Sequence, residues 1–207
     1  MGLKKKQEKL AQLREEISKC QKCPLYNSRT NTVPGEGDPN AEIMFIGEAP
    51  GFSEDQKGVP FCGNAGEFLE ELLESINLKR EDVFITNTLK CRPPENRDPL
   101  PEEKSACREY LEEQIAVINP KIVVTLGRHS TETYLPGLGG ISKLRAKLYH
   151  RPNGIYYFPL YHPAAALHNG AMRQTLIDDF AKLPMALKKI ETETAVVLQE
   201  QQNQTLF

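Results

Sequence analysis

IMFIGEAPGFSEDQKGVPFCGNAG, residues 43–66, carries the clearest architectural signal in the chain. The apolar run Ile43–Ile46 stops at the turn GEAPG, residues 47–51. A short buried strand that ends in such a turn fits an open α/β sheet, where ligands bind beyond the carboxyl ends of the strands. Glycine lets backbone approach a ligand closely, and Pro50 stiffens the turn. An ordinary strand-to-helix loop is also rich in Gly and Pro, so composition alone leaves that plainer reading equally open.

Three further runs resemble Ile43–Ile46: Val83–Thr86, Ile122–Leu126 and Ile155–Leu160. Their length and polar boundaries suit buried strands. Helical patterns lie between and around them, over residues 4–19, Gly66–Ile76, Pro101–Ile118 and Met172–Lys189. Pro101 followed by Glu102 and Glu103 is a helix start signal. Strands alternating with helices predict a three-layer α/β/α sandwich around a central, mostly parallel four-stranded sheet. Residues 1–189 are expected to form one domain. The Glu-, Gln- and Thr-rich stretch 190–207 reads as a helix-end extension or a flexible tail.

Length and composition agree with this plan. A chain of 207 residues with 39% hydrophobic and 26% charged residues can build one folded core. No run approaches the roughly 18–20 apolar residues of a membrane span. The N-terminus starts basic but lacks an apolar segment, so a cytoplasmic location is expected. A net charge of −2 argues against coating nucleic acid by bulk charge, although a local basic footprint such as Lys143–Arg151 remains open.

In such a location five cysteines suggest metal or reactive chemistry before disulfides. Cys20 and Cys23 form a C-x2-C pair; Cys91 precedes Arg92-Pro93-Pro94, and Cys107 sits early in the Pro101 helix. Four thiolates so spaced could hold zinc or an iron–sulfur cluster, and the thiolate count does not separate the two. Cys62 falls outside this set and reads as a small buried hydrophobe.

Taken together, GEAPG at 47–51, EDQKGVPF at 54–61, GNAG at 63–66, TNTLKCRPPENRDP at 86–99 and YHPAAAL at 161–167 resemble the family 4 uracil-DNA glycosylases of thermophilic bacteria and archaea. The resemblance spans roughly residues 10–185 and includes the spacing of Cys20, Cys23, Cys91 and Cys107. It implies a 4Fe–4S cluster on those four cysteines, structural in role, and a monomer acting on uracil-containing DNA, single- or double-stranded. This chain has Cys62 where the family usually has Val, and Arg128-His129-Ser130 where small residues are usual. A covalently DNA-trapping relative uses a histidine in an Arg-rich loop that has no counterpart here. His129 is therefore read as a polar residue at a helix N-terminus. The related family 5 lacks the polar residue held here by Glu48.

The resemblance assigns roles that the chemistry of the residues supports. An enzyme acting on a base in a duplex must flip it into a pocket. Phe61 is the expected stacking face. The Asn87 carboxamide can pair with the O4 and N3–H edge of uracil, and cytosine presents the opposite pattern. His162 is expected to donate a hydrogen bond to the charge that develops on the departing uracil. Amides of Gly47, Glu48 and Ala49 should contact the base. Glu48 would exclude thymine's methyl, and Glu48 or Glu54 would position water or offset the sugar cation. Arg92, Asn96, Arg97, Leu167 and Arg173 are the expected DNA contacts.

Three other readings stay in view. One is a non-catalytic Fe–S or zinc protein that binds nucleic acid on the same fold; it would need neither Asn87 nor His162. Another is a glycosylase of broader scope, acting on other deaminated bases. Finally, the terminal Gln204, Thr205, Leu206 and Phe207 resemble a sliding-clamp docking peptide.

Overall fold

The computed structural model describes the backbone of residues 1–204 and the side chains of residues 1–193. The strands are β1 (Glu36–Gly37), β2 (Ile43–Gly47), β3 (Phe84–Asn87), β4 (Ile122–Leu126), β5 (Tyr149–His150) and β6 (Tyr156–Leu160). The α-helices are α1 (Leu3–Ser18), α2 (Phe52–Lys57), α3 (Asn64–Glu74), α4 (Pro101–Ile118), α5 (Arg128–Tyr134), α6 (Ile141–Leu144), α7 (Pro163–Ala166), α8 (Gly170–Phe180) and α9 (Leu183–Gln204).

The sheet has six strands in the order β1-β3-β2-β4-β6-β5. The four expected strands form its parallel centre, and β1 and β5 add antiparallel edges. Each edge strand is two residues long, too short to show a period of two, which is why the sequence suggests four strands rather than six. Short edges also leave little unpaired backbone for another chain to join.

Strand register explains the layers. Phe45, Ile85, Val124 and Phe158 pair across the sheet in one row, and Met44, Phe84, Val123 and Tyr157 in the next. Successive side chains point to opposite faces. The first row packs with Phe68, Leu69 and Leu72 of α3 and with Leu176, Phe180 and Leu183 of α8 and α9. The second packs with Leu111, Ile115 and Ile118 of α4. Each fully buried Phe or Leu removed from water contributes about 1.5–3 kcal/mol before the entropy of ordering is set against it.

The expected last helix, Met172–Lys189, is two helices meeting at Ala181 and Lys182. Pro184 falls in the first turn of α9, where a missing N–H costs little. The composition change at Ile190 lies inside α9, and Ile190 itself is buried in the core. Of the clamp-like segment, Gln204 ends α9; Thr205, Leu206 and Phe207 lie outside the described residues.

Connections from β2 and β4 leave in opposite directions, toward β3 and β6 respectively. This places a topological switch point between the carboxyl ends of β2 and β4. Gly47, Asn87, Gly127 and His162 lie at or just beyond the carboxyl ends of the parallel strands, on one edge of the sheet.

Candidate active site

A cavity of about 420 Å³ opens at that edge, within the size range of small-molecule sites. It is lined by Glu48, Ala49, Pro50 and Gly51 after β2, Glu54 of α2, Phe61 and Ala65, Asn87, Pro93, Asn96 and Arg97, and His162, Ala164 and Ala165. The expected base-reading residues are thus brought together, along with two of the expected DNA contacts.

Asn87 ends β3 and is 2% exposed. Its buried Oδ1 has no hydrogen-bond partner among the described residues. Leaving such an acceptor unpaired costs about 1–3 kcal/mol, so the fold tolerates a loss that a ligand donor would recover. Gly47 backs this group. A β-carbon there would collide with Asn87 Oδ1 and come within 2.8 Å of Phe61 Cζ, so residue 47 must lack a side chain.

Phe61 is held in a left-handed conformation, φ 50°, that bulky residues avoid. Arg80 fixes it: Nη1 donates to the Phe61 carbonyl at 3.1 Å, Nη2 donates to the Pro60 carbonyl, and Nε binds Glu36 at 2.8 Å. Gly66 makes room, since a β-carbon there would strike the Phe61 carbonyl. The glycine of GNAG therefore serves the aromatic wall. The Phe61 ring stacks on His162 at 5.4 Å between centroids.

His162 caps α7, and its Nδ1 accepts the Ala164 N–H at 3.1 Å. An acceptor at Nδ1 leaves the proton on Nε2, so the ring presents an N–H donor while neutral. Burial pushes its pKa down to about 4. The His162 ring resonances should therefore titrate near pH 4 by NMR, with the Nε2–H tautomer at neutral pH. A midpoint at or above 6.5, the ordinary value, would contradict a neutral donor.

The carboxylates are arranged less simply. Burial raises the Glu48 pKa, and the facing His129 opposes that rise. The His129 Nε2 lies 3.8 Å from Glu48 and 3.3 Å from Asp98. His129 is indeed near a helix start, in the first turn of α5, but the register of β2 and β4 brings it to Glu48. This neighbourhood is invisible in sequence. Glu54 lies in the first turn of α2, and its Oε2 sits 2.8 Å from where a β-carbon on Gly51 would be.

Some expected DNA contacts have internal partners. Arg97 makes a two-pronged pair with buried Glu103, whose carboxylate also accepts the Leu100 N–H. Arg173 pairs with Glu71 and lies over the Phe68 ring at 3.9 Å. Leu167 is half-buried against the core. Arg92 is half-buried, and its Nε donates to Asn96 Oδ1 at 2.7 Å.

Cys20, Cys23, Cys91 and Cys107 line a second pocket with Ile17, Leu25, Leu89 and Tyr110. Cys62 is elsewhere and only partly buried, less than expected of a core hydrophobe. Two of the four sulfurs accept hydrogen bonds: the Lys22 N–H reaches Cys20 at 3.5 Å and Arg29 Nη1 reaches Cys91 at 3.2 Å, while the Leu25 and Lys90 backbones oppose the rise that burial causes in the thiol pKa of Cys23 and Cys107. Burial raises the pKa of the Cys23 and Cys91 thiols and pushes Cys107 up to about 11, so a bound cation would have to displace their protons. This donor set fits a thiolate-ligated metal group. Among the described residues, no three of these sulfurs lie within 4.8 Å of one another.

Behind the pocket lies Lys90, 1% exposed. Its Nζ donates to Thr86 Oγ1 at 2.6 Å, the Asn87 carbonyl at 2.8 Å and Gln114 Oε1 at 2.7 Å. Three acceptors match the three protons of an ammonium, while burial lowers the Lys90 pKa to about 7.

Comparison with known proteins agrees with this geometry. The model of the uracil DNA glycosylase superfamily matches residues 34–183. Type-4 uracil-DNA glycosylases of Sulfurisphaera tokodaii and Saccharolobus solfataricus are 51% and 52% identical to the chain, each over 84% of it and over 83% and 84% of their own lengths. That of Archaeoglobus fulgidus is 45% identical over 85% of the chain and 92% of its own length. A pocket with an orphaned amide acceptor, a strained aromatic wall and a neutral histidine donor thus sits inside the matched region, and the chain belongs to the uracil DNA glycosylase superfamily, in its type-4 family.

Proposed function

We propose that the protein excises uracil from DNA by hydrolysing the N-glycosidic bond and leaves an abasic site. The observation that carries this reading is the buried, unpartnered Oδ1 of Asn87 beside a donor-bearing neutral His162. Uracil's N3–H supplies the missing donor, and its O4 accepts from the Asn87 amide nitrogen. The flipped ring lies against Phe61. As the C1′–N1 bond breaks, its electron pair passes to uracil, and the His162 Nε2–H donates to the charge gathering at O2. Water adds to C1′, and the proton it gives up neutralises the departing uracil anion; Glu48 and Glu54 are the two cavity carboxylates available to orient the water and to offset the sugar cation.

The four-cysteine pocket fits a 4Fe–4S cluster better than one zinc ion. Tetrahedral zinc at about 2.3 Å would hold all four sulfurs about 3.8 Å apart, whereas among the described residues no three of them lie within 4.8 Å of one another. Such a cluster would brace the N-terminal segment against the loop from Arg92 to Ala106, and the hydrolysis needs no electron from it. The protein works as a cytoplasmic monomer in this reading. A sliding-clamp contact through Gln204–Phe207 would belong to it too, on sequence alone.

The test is incubation of purified protein with an oligonucleotide carrying one uracil. An alkali-labile site at that position supports the reading; an intact strand under single-turnover conditions removes it.

A further inference from the structure

We propose that Phe52 and Arg92 form a stacking platform for the nucleobase next to the flipped uracil. This rests on the uracil-excision reading. Phe52 is 60% exposed, which the fold does not require of a large aromatic. The Arg92 guanidinium lies over its ring, 5.2 Å from the centroid, and is held there by Asn96. Both residues adjoin the cavity wall in the chain: Gly51 and Pro93, their immediate neighbours, line it. The platform therefore directly follows Gly51 and directly precedes Pro93, both in the cavity wall, where the nucleotide beside a flipped one would pass. An aromatic face beside a guanidinium is the chemistry that holds single-stranded bases and their phosphates.

The experiment places 2-aminopurine on the 5′ or the 3′ side of a non-cleavable 2′-fluorinated deoxyuridine in a single-stranded oligonucleotide. Wild-type protein should quench one of the two probes. Phe52→Ala should abolish that quenching and weaken binding about 5- to 150-fold, the range for loss of one stacked base. Phe52→Tyr should retain both properties. Equal quenching and affinity in wild type and Phe52→Ala, or no quenching by wild type at either position, would overturn the platform. Wild-type excision of an ordinary uracil substrate, run in parallel, separates that failure from failure of the excision reading itself.

A second, independent observation concerns the buried Lys90. The geometry points to Lys90 as a positioning residue that ties the four-cysteine site to the base reader. It lines the four-cysteine pocket with Cys107, its Nζ donates to the Asn87 carbonyl, and Cys91 follows it directly. Gln114, which shares the ammonium, is itself anchored to the Pro34 carbonyl at 2.7 Å. Lys90→Met should slow single-turnover excision at least about tenfold with the visible absorbance of the cysteine site retained. The loss should vanish in an Asn87→Ala background and persist in a His162→Ala background, since coupling reports the shared pathway. Gln114→Leu repeats the cycle if Lys90→Met does not fold. Losses that multiply in both backgrounds, or an unchanged rate, would overturn the assignment.

Discussion

Asn87→Ala should lower single-turnover uracil excision by about 100- to 1,000-fold, the usual effect of removing one polar group that acts on the reacting centre. Its melting temperature should hold or rise. The two halves of this expectation come from one fact: the Asn87 side-chain oxygen has no hydrogen-bond partner among the described residues. Removing it deletes an unsatisfied buried acceptor and no internal hydrogen bond, so stability does not suffer. Functional sites often carry such a stability cost. Single-turnover kinetics and a thermal melt on the same preparation check both halves. A large drop in melting temperature would mean that Asn87 supports the fold instead, and an unchanged rate would mean that it does not read the base.

Cys91→Ala should have the largest effect on stability. Cys91 is the most buried of the four pocket cysteines, and it joins the end of the β3 connection to the segment carrying Cys20 and Cys23. Loss of one ligand should release bound iron and sulfide and remove their visible absorbance. The stability cost should be on the order of 4 kcal/mol, or about 8–16 °C in melting temperature for a chain of this size. Cys62→Val, outside the pocket, should change neither. Iron and acid-labile sulfide analysis with a thermal melt reads all three outcomes. Stoichiometric zinc without iron in anaerobically prepared wild type would replace the cluster by a mononuclear site.

The central sheet was legible because its four parallel strands are runs of buried residues bounded by turns, and α4 because Pro101 and two glutamates mark its start. Strand ends then located the site: Gly47, Asn87 and His162 all follow apolar runs, and parallel register brings such ends together. What the sequence hides depends on register between distant segments. Arg80 reaches the Phe61 carbonyl from 19 residues away, and His129 meets Glu48 only because β4 lies beside β2. Lys90 looks like one more lysine in a loop, yet its ammonium is sealed between β3 and α4. Charge misleads in the other direction. Arg97 and Arg173 resemble phosphate contacts in sequence, but each has an acidic partner within the fold.

The most direct measurement compares single-turnover excision of uracil, cytosine, thymine and hypoxanthine, each placed once in the same oligonucleotide. A pocket that pairs Asn87 with the N3–H and O4 edge should release uracil at least about 100-fold faster than cytosine, whose mismatched edge leaves buried polar groups unpaired; thymine and hypoxanthine present the same N–H and carbonyl edge and must be excluded by shape, thymine by Glu48 against its methyl. Comparable release of cytosine, or no release of uracil, would contradict the account.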